Sequence, residues 1–232
     1  MRHFGALVAV FAATVALAGQ STFKFERKYV EGEKEAFKLT LSMESNFGSI
    51  DILMNQNAVV KKVYENGDAD LETIISGMKV AMNGQEMPTP AQDVTMMTKV
   101  SKSGAILSAG GMSGGSGMGM NLGFMRFATA GMDKPLTVGQ TYDIDYKDPA
   151  NPKQSVKGTV KLESITEGKA KLLSKLALVT TEGQPPMDVN MTTFVEVSSS
   201  KLIKLEGTAS NVPGMEQLGT STVQFAMAAA KS

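Results

Sequence analysis

The chain has 232 residues, of which 42% are hydrophobic, 20% charged and 6% aromatic, with 17 Met, a single His, and neither Cys nor Trp. Basic and acidic residues number 23 each. Without Cys there is no disulfide framework, no thiolate nucleophile and no Cys-ligated metal, and the balanced charge leaves no basic stripe for nucleic acid.

Met1, Arg2 and His3 make a short basic start, and Phe4 to Ala18 follows without a charge. Ala16-Leu17-Ala18 is a small-x-small cleavage signal. Together these predict a secretory signal peptide over residues 1–18. The apolar run falls short of the roughly 20 residues that span a bilayer. No later stretch is long and apolar enough either, so no membrane span is expected. Leu17-Ala18-Gly19-Gln20 is similar to a bacterial lipobox with Gln20 in place of the lipid-bearing Cys. The mature chain is therefore expected to be released, periplasmic or extracellular, as a single β domain over 19–232. A chain of that length buries about 70% of its extended surface and needs no covalent staple. Its only arginines are Arg27 and Arg126, and His3 leaves with the signal.

From Ser21 onward the apolar residues recur every second position, the pattern of half-buried strands. Phe23, Phe25 and Tyr29 alternate with Lys24, Glu26 and Lys28, and Glu31-Gly32-Glu33-Lys34 turns the chain. Phe37, Leu39, Leu41 and Met43 form one face of the next strand. Ile50, Ile52 and Met54 follow, then a separate run from Val59 to Tyr64. Asn66-Gly67 is a strong hairpin signal. Ile74, Met78, Val80 and Met82 predict one face of a strand that ends at the Asn83-Gly84 turn. A loop with Pro88 and Pro90 leads to Val94, Met96, Thr98 and Val100.

The second half repeats the style. Tyr142, Ile144 and Tyr146 alternate with Asp143 and Asp145. Val160 and Leu162 form an apolar face, and beyond Glu167-Gly168 so do Ala170, Leu172, Leu176 and Leu178. Met187, Val189, Met191 and Val195, then 202–208 and 220–227, are the last strands. About twelve strands at hairpin spacing, with almost no 3.6-residue period, predict a mostly β antiparallel meander forming a curved half-barrel or barrel. Its apolar face is either a packed core or the lining of a cavity, and Met, being unbranched, suits an adaptable lining. A Gly turn before an aromatic-led strand at both 30–41 and 138–146 is a faint echo between two halves.

Between the halves lies a Gly/Met-rich stretch, taken as a flexible loop over 110–123, with Met112, Met118 and Met120. Phe124 to Met132 follows, apolar except for Arg126, and predicts at most a short helix or flap. The plain reading is a surface linker. The functional one is a lid whose Met112, Met118, Met120, Phe124 and Phe127 touch an apolar ligand while Arg126 holds an anionic head. Thioethers also suit Cu(I), but such sites want His or Cys, so no metal and no cofactor is expected. No nucleophilic triad can form without His or Cys. The acidic pairs Asp143/Asp145 and Asp68/Asp70 lack calcium-loop spacing. No catalytic residue is assigned, and the chain is not expected to be an enzyme.

The signal peptide, Phe23-Lys-Phe-Glu-Arg-Lys-Tyr-Val-Glu-Gly-Glu, Leu136-Thr-Val-Gly-Gln-Thr-Tyr142 and Lys204-Leu-Glu-Gly-Thr resemble segments of a group of exported bacterial β-rich proteins of unknown function. A more distant architectural similarity is to half-barrels of the lipoprotein-carrier type. That resemblance implies acyl chains held in an apolar concavity under a lid, although helices to cover it are not evident here. The expected function is non-catalytic binding of a lipid or other apolar small molecule in a curved sheet. The alternative is an envelope scaffold or protein-interaction module with a packed core, whose protein partner the sequence does not name.

Overall fold

The computed structural model describes residues 21–89, 93–113, 134–147, 155–179, 185–212, 219 and 222–230. The expected signal peptide and most of the Gly/Met-rich stretch lie outside them. Among the described residues every regular element is a strand. In chain order these are β1 (Thr22–Phe23), β2 (Lys34–Ser45), β3 (Gly48–Val63), β4 (Ala69–Met82), β5 (Gln85–Met87), β6 (Val94–Val100) and β7 (Ile106–Ser113). The second half supplies β8 (Leu136–Thr137), β9 (Thr141–Lys147), β10 (Ser155–Thr166), β11 (Lys169–Val179), β12 (Met187–Glu196), β13 (Leu202–Ser210) and β14 (Thr222–Ala229).

Twelve of these form one antiparallel sheet, with β7-β6-β4-β3-β2-β14-β13-β12-β11-β10-β9 as its path and β5 hung on β4. The sheet is curved and does not close, a half-barrel. Two meanders make it, and they meet where β2 pairs with β14, with Leu41 opposite Phe225. The edge strands are β7 and β9, the two ends of the segment that joins the halves.

Period-two alternation puts one set of side chains on the inner face, and the register lines them up across the strands. One row runs Val160, Ser174, Met191, Gly207, Phe225, Leu41, Ile52 and Val80. The next runs Leu162, Leu172, Thr193, Leu205, Met227, Leu39 and Met54. Nearly all of these are buried and belong to one core. Burial of each large aliphatic contributes about 1.5–3 kcal/mol, so this face carries most of the fold's stability. Of the two readings left open by alternation, the packed one describes the middle of the inner face.

Three local departures from simple alternation matter. Gly77, with φ of +59°, sits in an irregular stretch of β4 opposite Met54. The extra residue flips the parity there, because two residues face one at a bulge. Ile75, paired with Gln56, therefore faces inward together with Met78, Val80 and Met82, and Ile74 pairs with Asn57 on the outer side. This corrects the expectation that Ile74 shares the inner face. Second, the run from Val59 is no separate strand; β3 continues unbroken for 16 residues. Third, residues 110–113, expected at the start of the loop, continue β7. The Asn83-Gly84 turn is as expected: both residues have positive φ, 51° and 78°, the two-residue type I′ geometry that suits strand twist.

Thr193 is fully buried between Leu172 and Leu205, and its Oγ1 has no hydrogen-bond partner. A buried hydroxyl left unpaired costs about 1–3 kcal/mol, and Val fills the same volume. Thr193→Val is expected to raise the unfolding free energy by about 1 kcal/mol, measured as a higher urea midpoint with an unchanged slope.

Candidate functional site

The segment from Ser21 to Glu33 sets up the site. Only Thr22 and Phe23 form a ladder, pairing with Thr137 and Leu136 of β8, so the expected first strand is mostly a strap outside the sheet. It still alternates. Phe23, Phe25 and Arg27 are buried, and Lys24, Glu26 and Lys28 are exposed. The strap crosses the end of the curved sheet where several turns gather. Glu26 N–H donates to Ser200 Oγ at 3.0 Å, and Arg27 N–H to the Lys102 carbonyl at 2.7 Å. The Phe23 and Phe25 rings meet edge to face, their centroids 6.5 Å apart, and both join the main core.

Arg27 anchors the far end. Its side chain is only 5% exposed, and Nη2 donates to Glu33 Oε2 at 2.9 Å and to Glu35 Oε1 at 2.8 Å. Nη1 donates to the Lys28 carbonyl at 3.0 Å. The guanidinium also lies 5.2 Å from the centre of the Tyr29 ring, within cation–π range. Lys201, beside the β12–β13 turn, pairs with the other oxygen of Glu33. Burial by itself raises the pKa of Glu33. Hydrogen bonds from Lys201 and Arg27, and their charges, outweigh it and hold the carboxyl below the ordinary range. Burial pushes the Tyr29 hydroxyl well up, against the lowering effect of Arg27.

Beside the strap a cavity of about 450 Å³ opens between the β6–β7 turn, whose Lys102 carbonyl also receives Arg27 N–H, and the edge strand β9. Among the described residues it is lined by Ser103, Ala105, Lys134, Leu136 and the run Tyr142–Tyr146. Leu136 is both a wall of this cavity and the ladder partner of Phe23. Tyr142 is fixed by its hydroxyl, which accepts from Thr137 N–H and donates to Gln140 Oε1, both at 2.7 Å. Ile144 is buried opposite Gly158. A side chain at Gly158 would strike the Lys175 carbonyl at 2.0 Å, so β10 and β11 approach closely there. Lys134, Asp143 and Asp145 are exposed, and Asp145 stands 3.7 Å from Lys157. Apolar and polar groups thus share the cavity wall about equally, and its size lies in the range of small-molecule sites.

Of the residues expected to touch ligand, only Met112 is among the described residues. Met112 is in β7, in the irregular stretch opposite Met96. Met118, Met120, Phe124, Arg126 and Phe127 lie outside the described residues. Sequence reading passed over the cavity residues, because Tyr142, Ile144 and Tyr146 look like any strand face. It also passed over Arg27, although Glu33 and Glu35 at alternate positions beside a lone basic fork were a usable signal. Among the described residues no three His, Asp or Glu side chains are placed to hold a metal, and no helix is long and apolar enough to cross a membrane.

No family model and no curated protein matches the sequence. Among solved structures the chain is similar to a domain described as an outer membrane lipoprotein-sorting protein, from Vibrio parahaemolyticus. The similarity covers 88% of this chain and 86% of that chain at 11% identity, with a TM-score of 0.27. No residue or activity carries from one to the other.

Removing Arg27 leaves two carboxylates facing each other in a partly buried site. Breaking such a pair by deleting one partner costs about 3–5 kcal/mol. Arg27→Met is expected to lower the unfolding free energy by about 3 kcal/mol, read from urea denaturation. A second outcome concerns acid. Because the folded pKa of Glu33 is lowered, its contribution is complete above the unfolded value of about 4.3 and is lost as pH falls through the folded value. Melting temperature followed from about pH 6 to about pH 3 should fall less steeply in Glu33→Gln than in the parent.

Proposed function

We propose that this protein is a non-catalytic carrier or binder of an apolar or acyl ligand, exported to the periplasm or beyond, and that the seam between β9 and the β6–β7 turn receives the ligand. The observation that carries this reading is the cavity of about 450 Å³ with Leu136, Ile144 and the Tyr142 and Tyr146 rings in its wall and Lys134, Asp143 and Asp145 around it. An apolar tail gains by leaving water at about 25 cal/mol per Å², while a polar head would meet Lys134, Asp143 or Asp145. Export rests on the N-terminal sequence, with its basic start, apolar run and Ala16-Leu17-Ala18 site. The absence of His and Cys beyond His3 supports a binding role over a catalytic one.

The burial of Phe23 and Phe25, 1% and 5% exposed, favours a second reading: a protein-interaction module whose interior is filled by its own chain. Native mass spectrometry of protein purified from its own cell envelope separates the two. The binder is expected to carry an added mass that organic solvent extracts as lipid. A bare mass, with nothing extractable, overturns ligand carriage and leaves the interaction module.

A further inference from the structure

We infer that residues 21–29 are a displaceable strap that stands in for ligand, and that an apolar tail lodged in the seam cavity extends inward by lifting Phe23, then Phe25, off the core. The inference rests on the ligand-binding reading above and adds how the site opens. Three observations carry it.

The first is adjacency. Leu136 lines the cavity and is also the residue against which Phe23 is paired. A chain that pushes past Leu136 therefore meets Phe23 next.

The second is the unequal tethering of the two ends. At its N-terminal end, beside Leu136, the strap is held by the two-residue β1–β8 ladder and by Val138 N–H donating to the Ser21 carbonyl. Between there and Arg27 the strap's backbone is tied by Glu26 N–H donating to Ser200 Oγ. At the far end Arg27 bonds two carboxylates and its own N–H meets Lys102. Beyond that, Gly32 N–H and the Glu33 carbonyl bond Val60 at 2.8 and 2.9 Å. Charge-assisted bonds in a buried setting are about twice as strong as neutral ones. Opening therefore starts at Phe23 and stops at Arg27, which serves as the pin.

The third is like-for-like exchange. From Lys24 to Glu26 the strap belongs to no ladder, so lifting it breaks only the two-residue pairing of Thr22 and Phe23 with β8. What it withdraws from the core is two phenyl rings, and an acyl tail replaces apolar surface with apolar surface. A ligand shifts such an equilibrium only by binding the open form better than the closed one, and the space left by Phe23 and Phe25 supplies that difference.

The Cys-free sequence makes the test clean. Thr22 and Thr137 are direct ladder partners, and paired Cα atoms in an antiparallel ladder stand about 4.5–5.5 Å apart, within disulfide reach. The double variant Thr22→Cys/Thr137→Cys would be titrated with a fluorescent long-chain fatty acid, oxidised and then reduced. The parent chain, given the same treatment, is the control, and circular dichroism checks that each form is folded. The strap predicts at least tenfold weaker binding in the oxidised form, restored on reduction, with the parent unaffected. Equal binding by oxidised and reduced forms overturns the strap while ligand binding stands. If no form binds, the parent included, the strap and the binding function fall together.

Discussion

Among the described residues no second layer stacks on the large sheet, so it has to keep its one apolar face dry by its own shape. Here that requirement governs the rest. Strict alternation places Leu39, Leu41, Leu172, Leu205 and Phe225 on one side, and most of their partners on the other side are charged or small. Such a sheet is stable only if it curls around its own apolar side. Small residues on the inner rows make the curl tight. A Cβ on Gly207 would lie 2.1 Å from the Asn190 carbonyl and 2.9 Å from the Phe225 ring. An incomplete curl also leaves an open end, and the strap from Ser21 to Glu33 crosses it. The strap in turn brings a guanidinium into a nearly dry place, which requires the two carboxylates that meet it.

Much of this was legible, because strand alternation is a local property. The faces of β2, β9, β11 and β12 follow directly from residues two apart, and the sheet's openness and antiparallel order agree with the expected half-barrel. What escaped was whatever depended on a partner distant in sequence. The phase of β4 reverses at Gly77, and nothing but the facing strand shows that two residues there oppose one. Phe23 and Phe25 have the pattern of a strand, yet most of their segment finds no ladder and becomes a cover. The cavity is formed by β9 and a turn about 40 positions earlier in the chain, a proximity that exists only after the sheet has curled. The Met-rich residues singled out beforehand were chosen for unusual composition, and of them the structure places Met112 alone, in β7.

The two edges of the sheet are also where the design is least complete. An edge strand presents unpaired backbone groups, and proteins blunt such edges with charge, irregularity or cover. β9 carries Asp143 and Asp145 on its outer side, and β7 is irregular at two places along its pairing with β6. Both devices discourage a stray strand from adding on.

The pairing of β2 with β14 has a consequence for the order of assembly. Thr40 Oγ1 reaches the Ala226 carbonyl across 186 residues of chain, so the central ladder joins nearly the first strand to the last. Contacts of such range carry a high loop-closure cost and slow folding. During synthesis the first meander has to wait, with the inner edge of β2 uncovered, until the final strand has been made. A chain interrupted before β14 would therefore keep a long apolar strand edge open at its centre, where the finished molecule has none, and a holding partner would be most useful during that interval.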